Sequence, residues 1–300
     1  MRSAASKRAE SSELTPSQLM MKRETQVRYG VVPHALAGEH LAEQSWQMAG
    51  DRFLLRGEGH HYFHYQKGDG ITVERGPGVD TSEESLWLNG SVYSAVASIN
   101  GLLPLHASAV VFANAVFAFA GPAGAGKSTL AAALGQHGLP MFCDDTLVLD
   151  LTEPEGVVCL PGHKRLKLRP DAVRLTGSTG QERVSKGVEK VYAEPPAGHL
   201  QSPLPLGQVL FLEDGPEIAV NPIIGGQRLL RLQDEHYTST LFSRARGFNR
   251  EDAFRHLVGV SQRIQMAELT RPRDLTRFDE IVSVALDYLT RSSRIEGTQS

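Results

Sequence analysis

Gly121-Pro122-Ala123-Gly124-Ala125-Gly126-Lys127-Ser128-Thr129 fits the pattern G-x-x-x-x-G-K-[ST] at every fixed position. In that pattern Gly121, Gly124 and Gly126 let the backbone turn tightly. The amides of Ala123, Gly124, Ala125 and Gly126 then surround an anion, Lys127 brings a charge to the β and γ phosphates, and the Ser128 hydroxyl, followed by Thr129, can complete a Mg²⁺ shell. The flanks are those the pattern demands. Ala115-Val116-Phe117-Ala118-Phe119-Ala120 is an apolar run of strand length, and Ser128 to His137 is Ala/Leu-rich with no breaker before Gly135. Strand, glycine turn and helix start follow in the order that makes an anion site for a nucleoside triphosphate.

Immediately upstream, Leu103 to Phe112 and Ala115 to Ala120 are two apolar runs separated by Ala113-Asn114, which predicts an antiparallel hairpin feeding the glycine turn. Downstream, Leu139-Pro140-Met141-Phe142-Cys143 reads as a buried strand that runs into Asp144-Asp145, and strand character resumes over Thr146 to Leu151. Two adjacent carboxylates at the end of an apolar strand are costly without a partner, and Mg²⁺ or a lysine is the natural one. Lys164-Arg165-Leu166-Lys167-Leu168-Arg169 alternates basic and apolar residues, as a half-exposed strand does, and could turn a cationic face to a phosphorylated or acidic substrate.

The rest of the chain reads more coarsely. Residues 1–25 are rich in Ser, Lys, Arg and Glu and are expected to be a disordered tail. Short β-like pieces at Gln26–Gly30, Arg52–Arg56, His61–Tyr65 and Gly70–Glu74 predict a small, mostly β domain over residues 26–100. That domain closes with a connecting helix from Ser82 to Asn100. His60, His61 and His64 share this region, but no acid or cysteine completes a metal set, and an aromatic strand is the reading adopted. Gly177 to Lys190 is expected to be a mobile loop. Strands are predicted at Gln208–Leu212 and Glu217–Val220, and helices at Gln227–Gln233, Asp252–Met266 and Arg277–Leu289. The catalytic unit is thus assigned to residues 101–290, and 291–300 to a second disordered tail.

Composition narrows the partners. A 300-residue chain with 41% hydrophobic and 22% charged residues is an ordinary globular protein, and a formal net charge of −3 gives no global attraction to nucleic acid or to an anionic membrane. Cys143 and Cys159 have no metal-type or disulfide-framework spacing, and no run approaches the length of a membrane span. The expected compartment is the cytoplasm; a homo-oligomer is left open.

His106 lies 21 residues before Lys127, and Asp144 and Asp145 lie 17 and 18 residues after it. With Leu105-His106-Ala107-Ser108-Ala109, Gly121 to Thr129 and Asp144-Asp145 in this order, the chain resembles the catalytic domain of HPr kinase/phosphorylase and its relatives, including kinase-like tailoring enzymes of lasso-peptide clusters. The resemblance covers about residues 100 to 152 and extends more loosely through Arg271-Pro272-Arg273-Asp274-Leu275 and the helix after it. It implies an α/β fold: a P-loop core of the HPr kinase/PEP carboxykinase-like type preceded by the small β domain. It also implies ATP-dependent, Mg²⁺-assisted transfer to a serine of a protein or peptide, a lasso precursor among the candidates, with His106 beside the aspartate pair. The Glu-Ile-Arg-Gly-Leu-Gly-type signature of true HPr kinases is not found after the aspartates, so HPr itself is not implied as the substrate.

The chemistry expected of this set is phosphoryl transfer to a hydroxyl, with His106, Lys127, Asp144 and Asp145 as the catalytic group. Lys127 and the loop amides hold the triphosphate, Ser128 and one aspartate hold Mg²⁺, and the other aspartate takes the acceptor's proton. The sequence does not choose between the aspartates; Asp145 is taken with Ser128 as the metal ligand. A small-metabolite kinase is the first alternative, although the residues and hairpin preceding the glycine turn argue against it. A nucleotide-binding regulator without turnover is the second, and the intact aspartate pair argues against that.

Overall fold

The computed structural model describes residues 14–37, 41–42, 45–78, 81–153, 156–162, 165–185, 188–200, 202–233 and 236–296. The fold is mixed α/β. Helix α1 (Pro16–Glu24) leads into a six-stranded sheet of β1 (Val27–Tyr29), β2 (Leu41–Ala42), β3 (Trp46–Ala49), β4 (Arg52–Arg56), β5 (Tyr62–Gln66) and β6 (Gly70–Glu74), in the order β1-β6-β5-β4-β3-β2. Helices α2 (Thr81–Trp87) and α3 (Tyr93–Ile99), joined by a π-helical turn over Leu88–Val92, then carry the chain to Gly101, where φ is 85°.

A larger sheet follows. Its strands are β7 (Leu103–Leu105), β8 (Ser108–Phe112), β9 (Ala115–Ala120), β10 (Met141–Cys143), β11 (Leu147–Asp150) and β12 (Val158–Leu160), with α4 (Lys127–Gly135) between β9 and β10. A small three-stranded sheet, β13 (Leu166–Leu168), β14 (Thr179–Ser185) and β15 (Val188–Glu194), carries α5 (Pro170–Leu175). The large sheet is completed by β16 (Leu204–Asp214), β17 (Ala219–Pro222) and β18 (Met266–Arg271), around α6 (Gln227–Gln233), α7 (His236–Ala245) and α8 (Arg250–Arg263); α9 (Phe278–Glu296) ends the described chain.

The glycine turn grows from the middle of this sheet. β9 lies between antiparallel β8 and parallel β16, and β16 is flanked on its other side by parallel β18. Helices pack on both faces of β9, which is why its sequence is apolar throughout rather than alternating. Phe117 and Phe119 pack toward α4 and α9, while Val116, Ala118 and Ala120 join the opposite cluster with Phe242, Val260 and Ile264 of α7, α8 and the chain after α8. At about 1.5–3 kcal/mol per fully buried large apolar side chain, β9 is among the most firmly held segments of the fold.

The expected hairpin forms between β8 and β9, with φ of 47° at Ala113 and 61° at Asn114, the left-handed geometry of a type I′ turn. The run before it is not one strand. It breaks at His106-Ala107, and β7 leaves β8 to pair with β11.

Three segments differ from expectation. Residues 16–24 of the predicted tail are a helix, because Thr15 and Gln18 form a reciprocal capping box, Pro16 opens the first turn, and Met21 and Glu24 are buried. Residues 1–13 lie outside the described residues. The predicted mobile loop is the β14–β15 hairpin, seated against β13 and α5. The predicted disordered end contains the last turns of α9, which runs to Glu296; residues 297–300 lie outside the described residues.

Candidate active site

Two chain corners meet beside the glycine turn. Because β10 pairs with β8 and β11 with β7, the Asp144-Asp145-Thr146 connection lies against the His106-Ala107 connection. Each corner supplies what the other needs. Asp144, only 2% exposed, accepts a hydrogen bond at Oδ1 from Ser108 Oγ at 2.7 Å and another from Ser128 Oγ at 2.7 Å. Its Oδ2 accepts the backbone N–H of Lys167 at 3.2 Å. A carboxylate this buried is tolerated because donors surround it.

Asp145 faces a different environment. Its φ of 74° is left-handed, a conformation that costs most residues but suits Asp better than larger ones. Asp145 Oδ2 is 3.1 Å from Lys167 Nζ, and Oδ1 is 3.1 Å from His106 Nδ1. The same His106 nitrogen is 2.9 Å from the Asp145 carbonyl, which can only accept, so Nδ1 carries the proton. That hydrogen bond pins the strained backbone of Asp145 and leaves Nε2 as the ring nitrogen able to meet a ligand.

Adjacent residues thus hold two carboxylates in distinct settings. Asp144 is locked in the wall against Ser128, and Asp145 stands at the cleft with a histidine and a lysine. Strand β10 delivers Asp144 to Ser128, and the left-handed φ at Asp145 goes with its contacts to His106 and Lys167.

The glycine turn itself is braced from outside. Gly121 has a φ of 132°, and a Cβ there would come within 3.0 Å of the Leu212 carbonyl of β16, so this position admits only glycine without a shift. Ala125 N–H closes a turn onto the Pro122 carbonyl at 3.1 Å, and Gly126, with φ of 89°, caps α4. The first amides of α4 have no intrahelical acceptor, so they and the positive end of the helix dipole form an anion-attracting surface. Lys127, 7% exposed, donates Nζ–H to the Gly121 carbonyl at 2.7 Å and to the Pro122 carbonyl at 3.2 Å, which holds the ammonium over the loop.

One cleft of about 590 Å³ is lined by His106, Ser108, Ala123 to Leu130, Asp145 and Lys167 and continued by Arg169, Lys190 and the Arg271-to-Leu275 segment. Among the described residues no group of three or more His, Cys, Asp or Glu is arranged to hold a metal ion. Ser128 and Asp144 offer hard oxygen donors only, which fits Mg²⁺, an ion that usually takes one or two protein ligands and completes its shell with water and phosphate. Cys143, next to Asp144, contributes no nucleophile, since burial, with Asp144 beside it, pushes its thiol well above the ordinary range. His61 lies just before β5 of the other sheet, stacked on Phe63 at 4.6 Å and 3.5 Å from Glu84.

Ser108, Lys167 and Arg271 were not read from the sequence as site residues. Lys167 had a signal: it sits between buried Leu166 and Leu168, so strand alternation turns it to the other face of β13. Ser108 and Arg271 lie in stretches that carry the resemblance, but their places at the site follow from β8–β10 and β16–β18 pairing across long sequence separations.

No protein-family model matches the chain, and no curated protein matches it in sequence. Among solved structures the chain is similar to the HPr(Ser) kinase/phosphatase from Coxiella burnetii, at 13% identity and a TM-score of 0.33, over 63% of this chain and 98% of that one. A likeness of that strength carries no weight for function. Among the described residues no helix is long and apolar enough to cross a membrane.

Proposed function

We propose that the protein is an ATP-dependent phosphotransferase that phosphorylates a serine hydroxyl of a protein or peptide, with Mg²⁺ held at Ser128 and Asp144. The observation that carries this reading is the division of labour between the two aspartates. One is hydrogen-bonded to the hydroxyl that follows the loop lysine; its neighbour lines the cleft beside His106 and Lys167.

The loop and the first amides of α4 bind the β and γ phosphates, and the Lys127 ammonium exchanges the Gly121 and Pro122 carbonyls for phosphate oxygens. Ser128 and Asp144 would hold Mg²⁺, which would offset the charge that develops on the phosphates during transfer. Asp145 accepts the proton of the acceptor serine hydroxyl as that oxygen bonds to the γ-phosphorus and the bond to the β–γ bridging oxygen breaks, releasing ADP. Lys167 and His106 aim the Asp145 carboxylate, and Lys167 Nζ stands close enough to balance negative charge gathering beside it. This exchanges the aspartate roles expected from sequence: Asp144 is the metal-side carboxylate and Asp145 the base.

Transfer from γ-labelled ATP to serine-containing peptides tests the reading. Asp145→Asn, which tolerates the left-handed backbone, should lower transfer by about 10²-fold or more while leaving nucleotide binding. Undiminished transfer by both Asp144→Asn and Asp145→Asn would contradict it.

A further inference from the structure

Arg271 ends β18 directly beside Asp214, its register partner on parallel β16. It is 9% exposed, and one guanidinium nitrogen is 3.1 Å from Asp214 Oδ1. The other donates to the carbonyl of Ala125 inside the glycine turn. Asp214 is itself held from its second oxygen by Arg273 at 2.6 Å. An arginine can make both contacts at once because its donors form a rigid planar fork.

The consequence follows from peptide geometry. In a trans peptide the C=O and the next N–H point in opposite directions. Arg271 pulls the Ala125 carbonyl toward the β16–β18 edge, so the Gly126 N–H is turned the other way, away from the guanidinium. A loop that binds an anion must do this with its peptide planes, because an inward carbonyl would repel the phosphate that inward amides attract. The Gly121 end of the loop runs close against the same strand, where a Cβ would come within 3.0 Å of the Leu212 carbonyl.

We propose that Arg271, anchored by Asp214, is the positioning residue that sets the anion-binding conformation of the glycine turn. It acts through the Ala125 carbonyl and not by touching the phosphate. The proposal rests on the triphosphate-binding part of the functional reading and adds to it how the loop is kept competent.

The test is titration of the full-length chain with inorganic tripolyphosphate and Mg²⁺, which reports the phosphate site without the base or the acceptor. Arg271→Ala should bind on the order of tenfold or more weakly, as expected when one charge-assisted hydrogen bond is lost. Added ethylguanidine, below denaturing concentrations, should restore binding in that variant. If Arg271→Ala does not fold, Arg271→Lys decides, since lysine keeps a positive charge near Asp214 but lacks the fork; it too should bind more weakly.

Asp214→Asn separates positioning from direct contact by sign. If Arg271 works through the loop, loosening its anchor weakens binding. If it touched the phosphate, removing a nearby negative charge would strengthen binding. Wild-type affinity in folded Arg271→Ala or Arg271→Lys, or tighter binding by Asp214→Asn, would overturn this inference alone. Failure of the wild-type chain to bind tripolyphosphate would overturn the triphosphate reading and this inference with it.

Discussion

At the residue scale, the site turns on two neighbouring acids that the fold treats differently. Asp144 accepts from Ser108, Ser128 and the Lys167 amide. In Asp144→Asn one of those donors must face an amide N–H₂, so the folded state should lose about 1–3 kcal/mol, measurable by chemical denaturation. Lys167→Met leaves the strand intact, because Leu166 and Leu168 do the packing, but removes the cation 3.1 Å from Asp145. It should reduce the transfer rate more than it weakens ATP binding, as steady-state kinetics beside a binding titration would show. An equal loss in both would place Lys167 on the nucleotide instead. The sequence displayed His106, Lys127, Ser128 and both aspartates because each belongs to a contiguous motif or a fixed offset from one. It could not assign the aspartates, since which carboxylate meets Ser128 depends on a single left-handed φ at Asp145.

At the element scale, short-range chemistry was legible and long-range pairing was not. The strand, glycine turn and helix over 115–135, and the Ala113-Asn114 hairpin, are specified by neighbours in sequence. The predicted helix Asp252–Met266 overruns α8 by three residues because no breaker follows Arg263, and β18, which no sequence pattern predicts, owes its strand identity to pairing with β16 more than fifty residues away. Helix α1 was hidden by its polar composition, yet it is tied down by Glu24, which accepts from the Tyr65 hydroxyl at 2.7 Å and the Gly68 amide at 2.8 Å. Burial alone would raise the Glu24 pKa, but these hydrogen bonds and Arg23 outweigh it and hold the carboxyl below its ordinary value. A depressed folded pKa means that this stabilisation is present above the unfolded carboxylate range and fades as pH falls through the folded value. Thermal melts should therefore show Glu24→Gln less stable than wild type near neutrality, with the difference shrinking on acidification below about pH 4. A difference independent of pH would assign the effect to packing.

At the scale of the whole molecule, the six-stranded sheet and the large sheet share a core. Phe53, Phe63 and Tyr65 of the first pack with Val92, Val96 and Ile99 and, in the same cluster, with Val148, Leu160 and Leu241 from the chain after residue 100. The division at residue 100 marks a change in sequence pattern, but the buried surface runs across it. A fragment beginning at Gly101 should therefore lack cooperative unfolding in calorimetry, since it would expose the apolar face that α3 covers; a sharp transition near that of the full chain would show the units to be independent. This shared core fixes β7 and β11, and through them the His106 and Asp145 corners. Calorimetric titration with ATP, with and without Mg²⁺, in the wild type and the two aspartate variants tests the roles of those two corners most directly. Asp144→Asn should lose most of the Mg²⁺-dependent gain in affinity while Asp145→Asn keeps it. Equal loss in both variants, or loss confined to Asp145→Asn, would contradict the assignment of Asp144 to the metal and Asp145 to the proton.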